Sequence, residues 1–408
     1  MRTRRIARVV AGVAMALAMA TPASADLVAD WSELLTSVDK AAAPTEYVFD
    51  PSTRQSGSKL SLAMFEAANA VDRRYVSYLG LPVAARGASI EAAASTAAHD
   101  VLLACYPGQA QSIEDAYTLA MARVRAGPGR EAGIAVGKAA AVAAMAAGGI
   151  DPALGQAVYR PSAMAGKWAP SSIPYDPREL QVRPWFMTSA SQLRIAAPPP
   201  LTSAAYTASL EETRLRGAKE SKVRNAADTL AAKFWAFYNL DPPMRQVADQ
   251  PGRSIVKNAR MYALVALAGD DIGLMMADGK LHHAFWRPMN AIRQADIDGN
   301  DATVADPLWE PLVRTPNQPE YPCGHCTVAA VFSTILAAEG RPPPGGLHFT
   351  TERMPGVSLT VADWPAYARA VDQSRIDAGV HFRFTADASD PMGVKLGRMA
   401  MERLKPVR

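Results

Sequence analysis

Long β-branched runs are scarce in this sequence; alanine and leucine dominate instead, a composition that favours helices. No internal repeat is evident. Beyond the N-terminal segment, no stretch reaches transmembrane length without a charge or glycine. Ala132–Ile150 comes nearest, but Lys138, Gly148 and Gly149 interrupt it. Cysteine is rare, three residues in 408, and the number is odd. Cys105 lies in an apolar helical pattern and reads as core. Cys323 and Cys326 form Cys-Gly-His-Cys and are close enough to close a small disulfide in an oxidising compartment. Histidine is also scarce, six residues, and no His-x3-His or Cys/His set has zinc spacing, although His282 and His283 adjoin.

Excess charge is lacking too once the first 25 residues are set aside. Arg2, Arg4, Arg5 and Arg8 precede an apolar run from Val9 to Ala20, and Ala23-Ser24-Ala25 is a small-residue cleavage site. This reads as a signal peptide of the general secretion route, residues 1–25, cleaved after Ala25. The expected location is periplasmic or secreted, with no membrane span after cleavage. The formal +4 belongs to that segment. Without its four arginines the chain has 39 basic residues against 39 acidic. No general signal for nucleic acid or a membrane surface remains, so any cationic site must be local.

The remaining residues, about 383, allow one large or two ordinary domains. Residues 26–160 read as an N-terminal helical scaffold, with helical spacing over Ile90–Leu103, Glu114–Val124 and Ala132–Ala147. Alanine-rich faces let such helices approach closely. His99, on one of them, reads as a structural histidine. Residues 161–202 hold Pro161, Pro170, Pro174, Pro177, Pro184 and Pro198-Pro199-Pro200, which forbid a long helix. Trp168, Tyr175, Trp185, Phe186 and Met187 make this a connector packed on the helical body rather than a free linker. Residues 203–408 read as a C-terminal helical domain. Helices are expected over Ser203–Gly217, Ala226–Tyr238, Ser254–Asp278 with Gly279 as its C-terminal cap, Trp364–Ala378 and Asp390–Leu404. Asp270 and Asp271 read as exposed or partner-bonded helix charges. Asp296-Ile297-Asp298-Gly299-Asn300-Asp301 reads as a turn, because Pro307 stands where a calcium loop needs its twelfth-position acid. His348, beyond the loop Gly340–Gly346, reads as structural.

Three stretches carry the chemistry. Tyr321-Pro322-Cys323-Gly324-His325-Cys326 opens an apolar helical run, so backbone N–H groups and the helix dipole favour an anion beyond its start. Lys280, seven residues before Arg287-Pro288, and Ser374-Arg375 with His381 six residues after the arginine, add three cations and a second histidine. Lys280 and Arg287 are two helical turns apart and are expected on one face. Arg375 and His381 are not, and meet one ligand only if the helix stops near Gly379.

These phrases, Lys-x6-Arg-Pro, Pro-x-Gly-His and Ser-Arg-x5-His in this order, resemble the vanadium-dependent haloperoxidases and type-2 phosphatidic acid phosphatases, and most closely the bacterial haloperoxidase-like branch. The likeness is specific from about residue 200 onward. It implies an all-α fold of helical bundles and an oxyanion cage. In it Lys280, Arg287, Arg375, the Gly324 N–H and residue 323 hold the equatorial oxygens. His325 would be the acid–base group, and His381 would bind vanadium or attack phosphorus. The cofactor would be vanadate, or none for a phosphatase. The substrates would be hydrogen peroxide and halide, or a phosphate ester; a homo-oligomer is compatible. Family members oxidise halide to a hypohalous species. Three positions depart from the pattern: Cys323 replaces a serine, Gln318 an aromatic residue or histidine, and Thr385 an aspartate that orients the histidine, for which Asp387 is a substitute two residues late. A thiol donates weakly, and a disulfide sulfur not at all. A non-catalytic anion-binding protein and a thiol-redox protein are the remaining readings. Cys-Gly-His-Cys resembles the dithiol of disulfide isomerases, but no βαβ pattern surrounds it.

Overall fold

Alanine-rich helices bury enough surface only by stacking on several neighbours, and this is how the chain is arranged. The computed structural model describes residues 26–42, 55–151, 160–162, 164–170 and 180–407. The segment expected to be a signal peptide, and Pro174, Tyr175 and Pro177 of the connector, lie outside the described residues. The N-terminal helices are α1 (Leu27–Ala42), α2 (Ser56–Val71), α3 (Ile90–Cys105), α4 (Ala110–Ala122) and α5 (Pro128–Ala146). After the connector come α6 (Ala204–Arg216), α7 (Ala226–Phe234), α8 (Asp241–Ala248), α9 (Ile255–His283), α10 (Pro288–Arg293) and α11 (Gly324–Glu339). A hairpin follows, β1 (Leu347–Thr350) and β2 (Ser358–Val361), then α12 (Trp364–Asp377) and α13 (Arg383–Arg403). The hairpin is antiparallel, with Leu347 opposite Val361 and Thr350 opposite Ser358. Among the described residues no helix is long and apolar enough to cross a membrane.

α9 is the axis. Of its 29 residues, 21 are buried, because α1 and α2 cover one flank while α11 and α13 cover the other. Small residues set the spacing in both halves. A Cβ added at Gly133 or Gly137 of α5 would come within 2.5 Å of a carbonyl oxygen of the α3 segment. A Cβ at Gly393 of α13 would lie 2.7 Å from Ala330 Cβ and 2.8 Å from Thr327 O of α11. The expected close approach of small-residue faces therefore holds, and at its tightest points it needs glycine.

The connector is anchored on α9. Asp271 accepts the backbone N–H groups of Trp185 (2.7 Å), Phe186 (2.7 Å) and Met187 (3.2 Å). Asp270 accepts from Ser58 Oγ at 2.6 Å and Trp185 Nε1 at 2.9 Å. Both carboxylates are partner-bonded, and both reach Trp185 despite their adjacency. Further back, the Trp168 N–H donates to Ala284 O and the Trp286 N–H to Gly166 O, which ties the connector to the strand-like turn before Arg287. His99 stacks on Tyr117, with ring centroids 4.2 Å apart, and bonds Asp100. His348 pairs with Thr360 across the hairpin. Asp298 accepts from the Asn300 N–H and from Thr303 Oγ1, a hydrogen-bonded turn.

Two boundaries differ from expectation in ways that matter. α9 continues through Gly279 to His283 and is capped by Ala284, at φ 46° and ψ 42°. Gly279 is required by packing: a Cβ there would lie 2.9 Å from Pro322 Cδ. Lys280 thus sits in the last turn of α9, whereas Arg287 is the extended residue before α10, at φ −79° and ψ 156°. The two do not share a helix face; Pro288 forces its predecessor out of the helix. α13 begins at Arg383, seven residues before the expected Asp390, and carries Pro391 within it. Its packing on α11 outweighs the bond that proline removes.

Replacing Gly393 with valine should wedge α13 from α11 and lower stability by roughly 1–3 kcal/mol, the usual cost of overpacking. Equilibrium denaturant unfolding checks this.

Candidate active site

Lys280, Arg287, Gly324, His325, Arg375 and His381 line one cavity of about 870 Å³, joined by Gln318. Three segments bring them there. The first is the end of α9 and the turn after it. The second is the loop 318–323, which contains the cis Tyr321–Pro322 peptide and enters α11. The third is the end of α12, where Gly379 takes φ +75°. A Cβ at Gly379 would lie 2.5 Å from Gly217 O, so a side chain is excluded by space as well as by backbone conformation. This turn ends the helix, as expected, and lets His381 reach the ligand side of Arg375.

The three cations are buried, at 2%, 1% and 3% exposure for Lys280, Arg287 and Arg375. Lys280 Nζ donates to the carbonyls of Pro319 (2.7 Å), Glu320 (3.2 Å) and Pro322 (2.7 Å), which fixes the loop over it. Burial, reinforced by Arg287, holds its ammonium well below the usual lysine range. Arg287 donates from Nε to Gln318 O at 2.8 Å and from Nη1 to Val380 O at 2.9 Å and His381 Nε2 at 3.1 Å. Arg375 differs: its Nε and Nη1 are buried with no hydrogen-bond partner. Burial pushes Arg287 and Arg375 down to about 10. Uncompensated donors on a buried cation are costly unless an anion satisfies them. Gly324, the first residue of α11, opens on space: a Cβ there would meet nothing within 4 Å.

Sequence reasoning missed Glu320. It is fully buried and takes the His381 Nδ1–H at 2.8 Å and the Phe382 N–H at 3.1 Å on Oε1, and the Thr385 hydroxyl at 2.9 Å on Oε2. It does for His381 what Asp387 was expected to do; Asp387 instead lies in the field of Arg383 and Glu212. Thr385 supports the carboxylate rather than the histidine. Burial raises Glu320 to about 7 against the pull of Arg287 and Lys280. The one available signal was the acid in Glu-Tyr-Pro, directly before the anion loop. With Nδ1–H given to Glu320, the Nε2 lone pair of His381 faces Arg287. Burial, then Arg287, keeps the ring neutral. His325 Nε2 donates to Ala236 O at 3.3 Å, and burial together with Arg375 pushes this histidine down to about 3.

Cys323 corrects the expected donor set. It is disulfide-bonded to Cys326, with Cα atoms 5.4 Å apart, so its sulfur has no hydrogen to offer an oxyanion. Its Sγ instead accepts the Cys326 N–H, capping α11, while its own N–H donates to Ser389 Oγ at 3.0 Å. Both sulfurs are fully buried. His282 and His283 lie edge to face at 4.8 Å, outside the cage.

A buried Lys, two Arg and a carboxylate-held His thus surround one cavity of a helical protein, with guanidinium donors of Arg375 unpaired at its wall. Residues 260–408 match the family described as the VCPO second helical-bundle domain. The solved structure of a bacterial vanadium-dependent iodoperoxidase is similar at TM-score 0.72 and 19% identity, covering 93% of this chain and 96% of that one. A bacterial vanadium-dependent chloroperoxidase is similar in its holo form (TM-score 0.64, 18% identity, 90% and 94% covered) and in its apo form (0.66, 18%, 89% and 96%). No curated protein matches the sequence. The chain thus shares the fold of these vanadium-dependent haloperoxidases, and its C-terminal part matches the model of a second helical-bundle domain.

Sulfate keeps its charge from pH 5 to 8, so it isolates the protein's own titration. Bringing a dianion beside a neutral His325 raises that histidine's pKa. Sulfate should bind more tightly at pH 5 than at pH 8 with proton uptake, and His325→Gln should reduce that dependence to the part that Glu320, raised to about 7, contributes. Calorimetry in buffers of different ionisation enthalpy reads both.

Proposed function

We propose that the protein is an exported, vanadate-dependent haloperoxidase-like enzyme that uses hydrogen peroxide to oxidise halide. The observation that carries this reading is the buried Arg375, whose Nε and Nη1 have no partner inside a cavity already lined by Lys280, Arg287 and His381. Those donors, and the space above Gly324, fit a compact oxyanion bearing several negative charges. Lys280, Arg287, Arg375 and the Gly324 N–H would hold the equatorial oxygens of vanadate, and His381 Nε2 would be its protein ligand. Bound vanadate supplies a Lewis acid that activates peroxide without itself changing oxidation state. Glu320 keeps the proton on Nδ1 of His381, so Nε2 would stay available to the anion, with Arg287, which donates to Nε2 in its absence, beside it. His325, with Nε2–H donated to Ala236 O, keeps a lone pair on Nδ1 that accepts the proton peroxide loses. Export rests on the residues 1–25 pattern; the proposed mature chain begins at Asp26.

One observation favours a second reading, a phosphomonoesterase on the same residues. A neutral His381 held at Nδ1 by a carboxylate is also the arrangement of an activated nucleophile. The thiol-redox reading loses support from the burial of both sulfurs, since exchange requires access.

Vanadate-loaded protein should oxidise iodide or bromide with peroxide above the free-vanadate background, and metal-free protein should hydrolyse a simple aryl phosphate poorly. The reverse result would replace the first reading by the second, and inactivity in both assays would leave anion binding alone. Glu320→Gln should lower vanadate affinity or turnover roughly ten- to a hundredfold, as loss of a ligand-orienting partner does. The double variant Cys323→Ser, Cys326→Ala restores a hydroxyl donor and should tighten vanadate binding by about tenfold or more, the worth of one hydrogen bond to a charged group.

A further inference from the structure

We propose that cleavage between Ala25 and Asp26 gives the chain a structural cation: the freed α-ammonium of Asp26 pairs with the Asp249 carboxylate and fastens α1 to α8 and α9. This rests on the export reading above and adds what processing does to the fold. Hydrolysis by the export machinery's peptidase breaks that peptide bond. Water leaves its hydroxyl on the Ala25 carbonyl and a hydrogen on the Asp26 nitrogen. That nitrogen takes up a further proton near neutral pH, since a free α-amine ordinarily titrates at roughly 7.7–8.0.

The surroundings of residue 26 are built to hold it. The Asp26 N–H donates to Asp249 Oδ1 at 3.3 Å, and Asp249 is the residue that ends α8. The Asp26 side chain caps α1. Its Oδ1 accepts the N–H groups of Val28 at 3.1 Å and Ala29 at 3.0 Å, and its backbone carbonyl takes the Asp30 N–H. Its Oδ2 accepts Asn258 Nδ2 of α9 at 2.6 Å, and Asn258 is 1% exposed. The same Asn258 nitrogen donates to Ala248 O at 2.9 Å, next to Asp249. Residue 26 is thus fixed where three helices meet, with its nitrogen on a carboxylate. The first turns of α1 bury Val28, Ala29 and Trp31.

The charge at this junction favours a cation. Asp30 and Glu33 of α1, and Asp249, all pair with Arg245, at 2.7, 2.8 and 3.3 Å. Asp241, at the start of α8, accepts from Thr36 at 3.2 Å and lies in the field of Glu33. Burial, with Asp249 adding to it, holds Asp26 above the usual carboxylate range. The Tyr262 phenol of α9 is raised by burial and then by Asp26 and Asp241. Arg253, which bonds Asn258, is turned to Glu339. Among the described residues, carboxylates therefore outnumber cations beside the Asp26 nitrogen. A peptide N–H offers them one hydrogen bond; an ammonium offers a charge as well. The dipole at the start of α1 opposes a cation there, and the capping carboxylate of Asp26 offsets it.

Mass spectrometry of the exported protein reads its first residue, expected to be Asp26. Any other start overturns the cleavage reading and this proposal together. On the mature chain, the pH dependence of acetylation at the α-amine gives its pKa. It should lie above the ordinary range of roughly 7.7–8.0 and fall by about half a unit in Asp249→Asn, as expected for a partly exposed ion pair. The pairing is then complete below that range and is lost as pH rises through the raised value. An amine that titrates alike in both chains overturns the pairing and leaves the cleavage standing. A chain with one serine ahead of Asp26 keeps every side chain but moves the ammonium by about 3.8 Å. At pH 7 the amides in the first turns of α1 should exchange hydrogen about two- to fivefold faster in that chain than in the mature one. Equal exchange in the two chains also overturns the proposal.

Discussion

Glu320 helps to hold together three segments that lie far apart in the chain. Its two oxygens take hydrogen bonds from His381, Phe382 and Thr385, and its backbone carbonyl, with those of Pro319 and Pro322, takes the Lys280 ammonium. Its N–H donates to Phe285 O, which precedes Arg287 by two residues. One buried carboxylate thus neutralises part of a site that contains three buried cations. The balance left over is positive. In a medium with little water to screen it, such an excess favours an anion, which is the ground of the proposed function.

The cost of such a site is met by the rigidity around it. α9 is buried along most of its length and carries Lys280 on its last turn. α11 presents Gly324 and His325 at its start and is clamped to α13 through Gly393 and Gly397. The Cys323–Cys326 disulfide, with the Ser389 bond to the Cys323 N–H, ties the anion loop to α13. That disulfide exchanges a side-chain donor for a fixed loop. The proposed anion is then left to the remaining donors, Arg375 above all.

Much of this was legible. Alanine-rich helical spacing, the proline-rich connector with its aromatic residues, and the Lys, Arg and His phrases were all visible along the chain. The requirement that α12 stop near Gly379 followed from the six-residue step between Arg375 and His381. Glu320 was harder. A carboxylate bound to a histidine 61 residues later leaves no local periodicity, and Asp387 stood nearer in sequence. Gly279 misled for a related reason: a glycine near a helix end resembles a cap, yet here it makes room for Pro322. The joint hold of Asp270 and Asp271 on Trp185 was likewise invisible, because adjacent helical residues diverge unless a partner chain bends around them.

The sequence by itself determined the helical class and pointed to the Lys, Arg and His side chains that line the cavity, because helix propensity and charge are local properties written one residue at a time. Only the tertiary structure decided the rest. It set which carboxylate holds His381, left Cys323 without a proton to donate, and separated Lys280 and Arg287 onto different elements. It also left Nε and Nη1 of Arg375 without partners at the cavity wall. Each of these depends on distance between segments far apart in the chain, and such distances are fixed by packing rather than by any neighbouring residue.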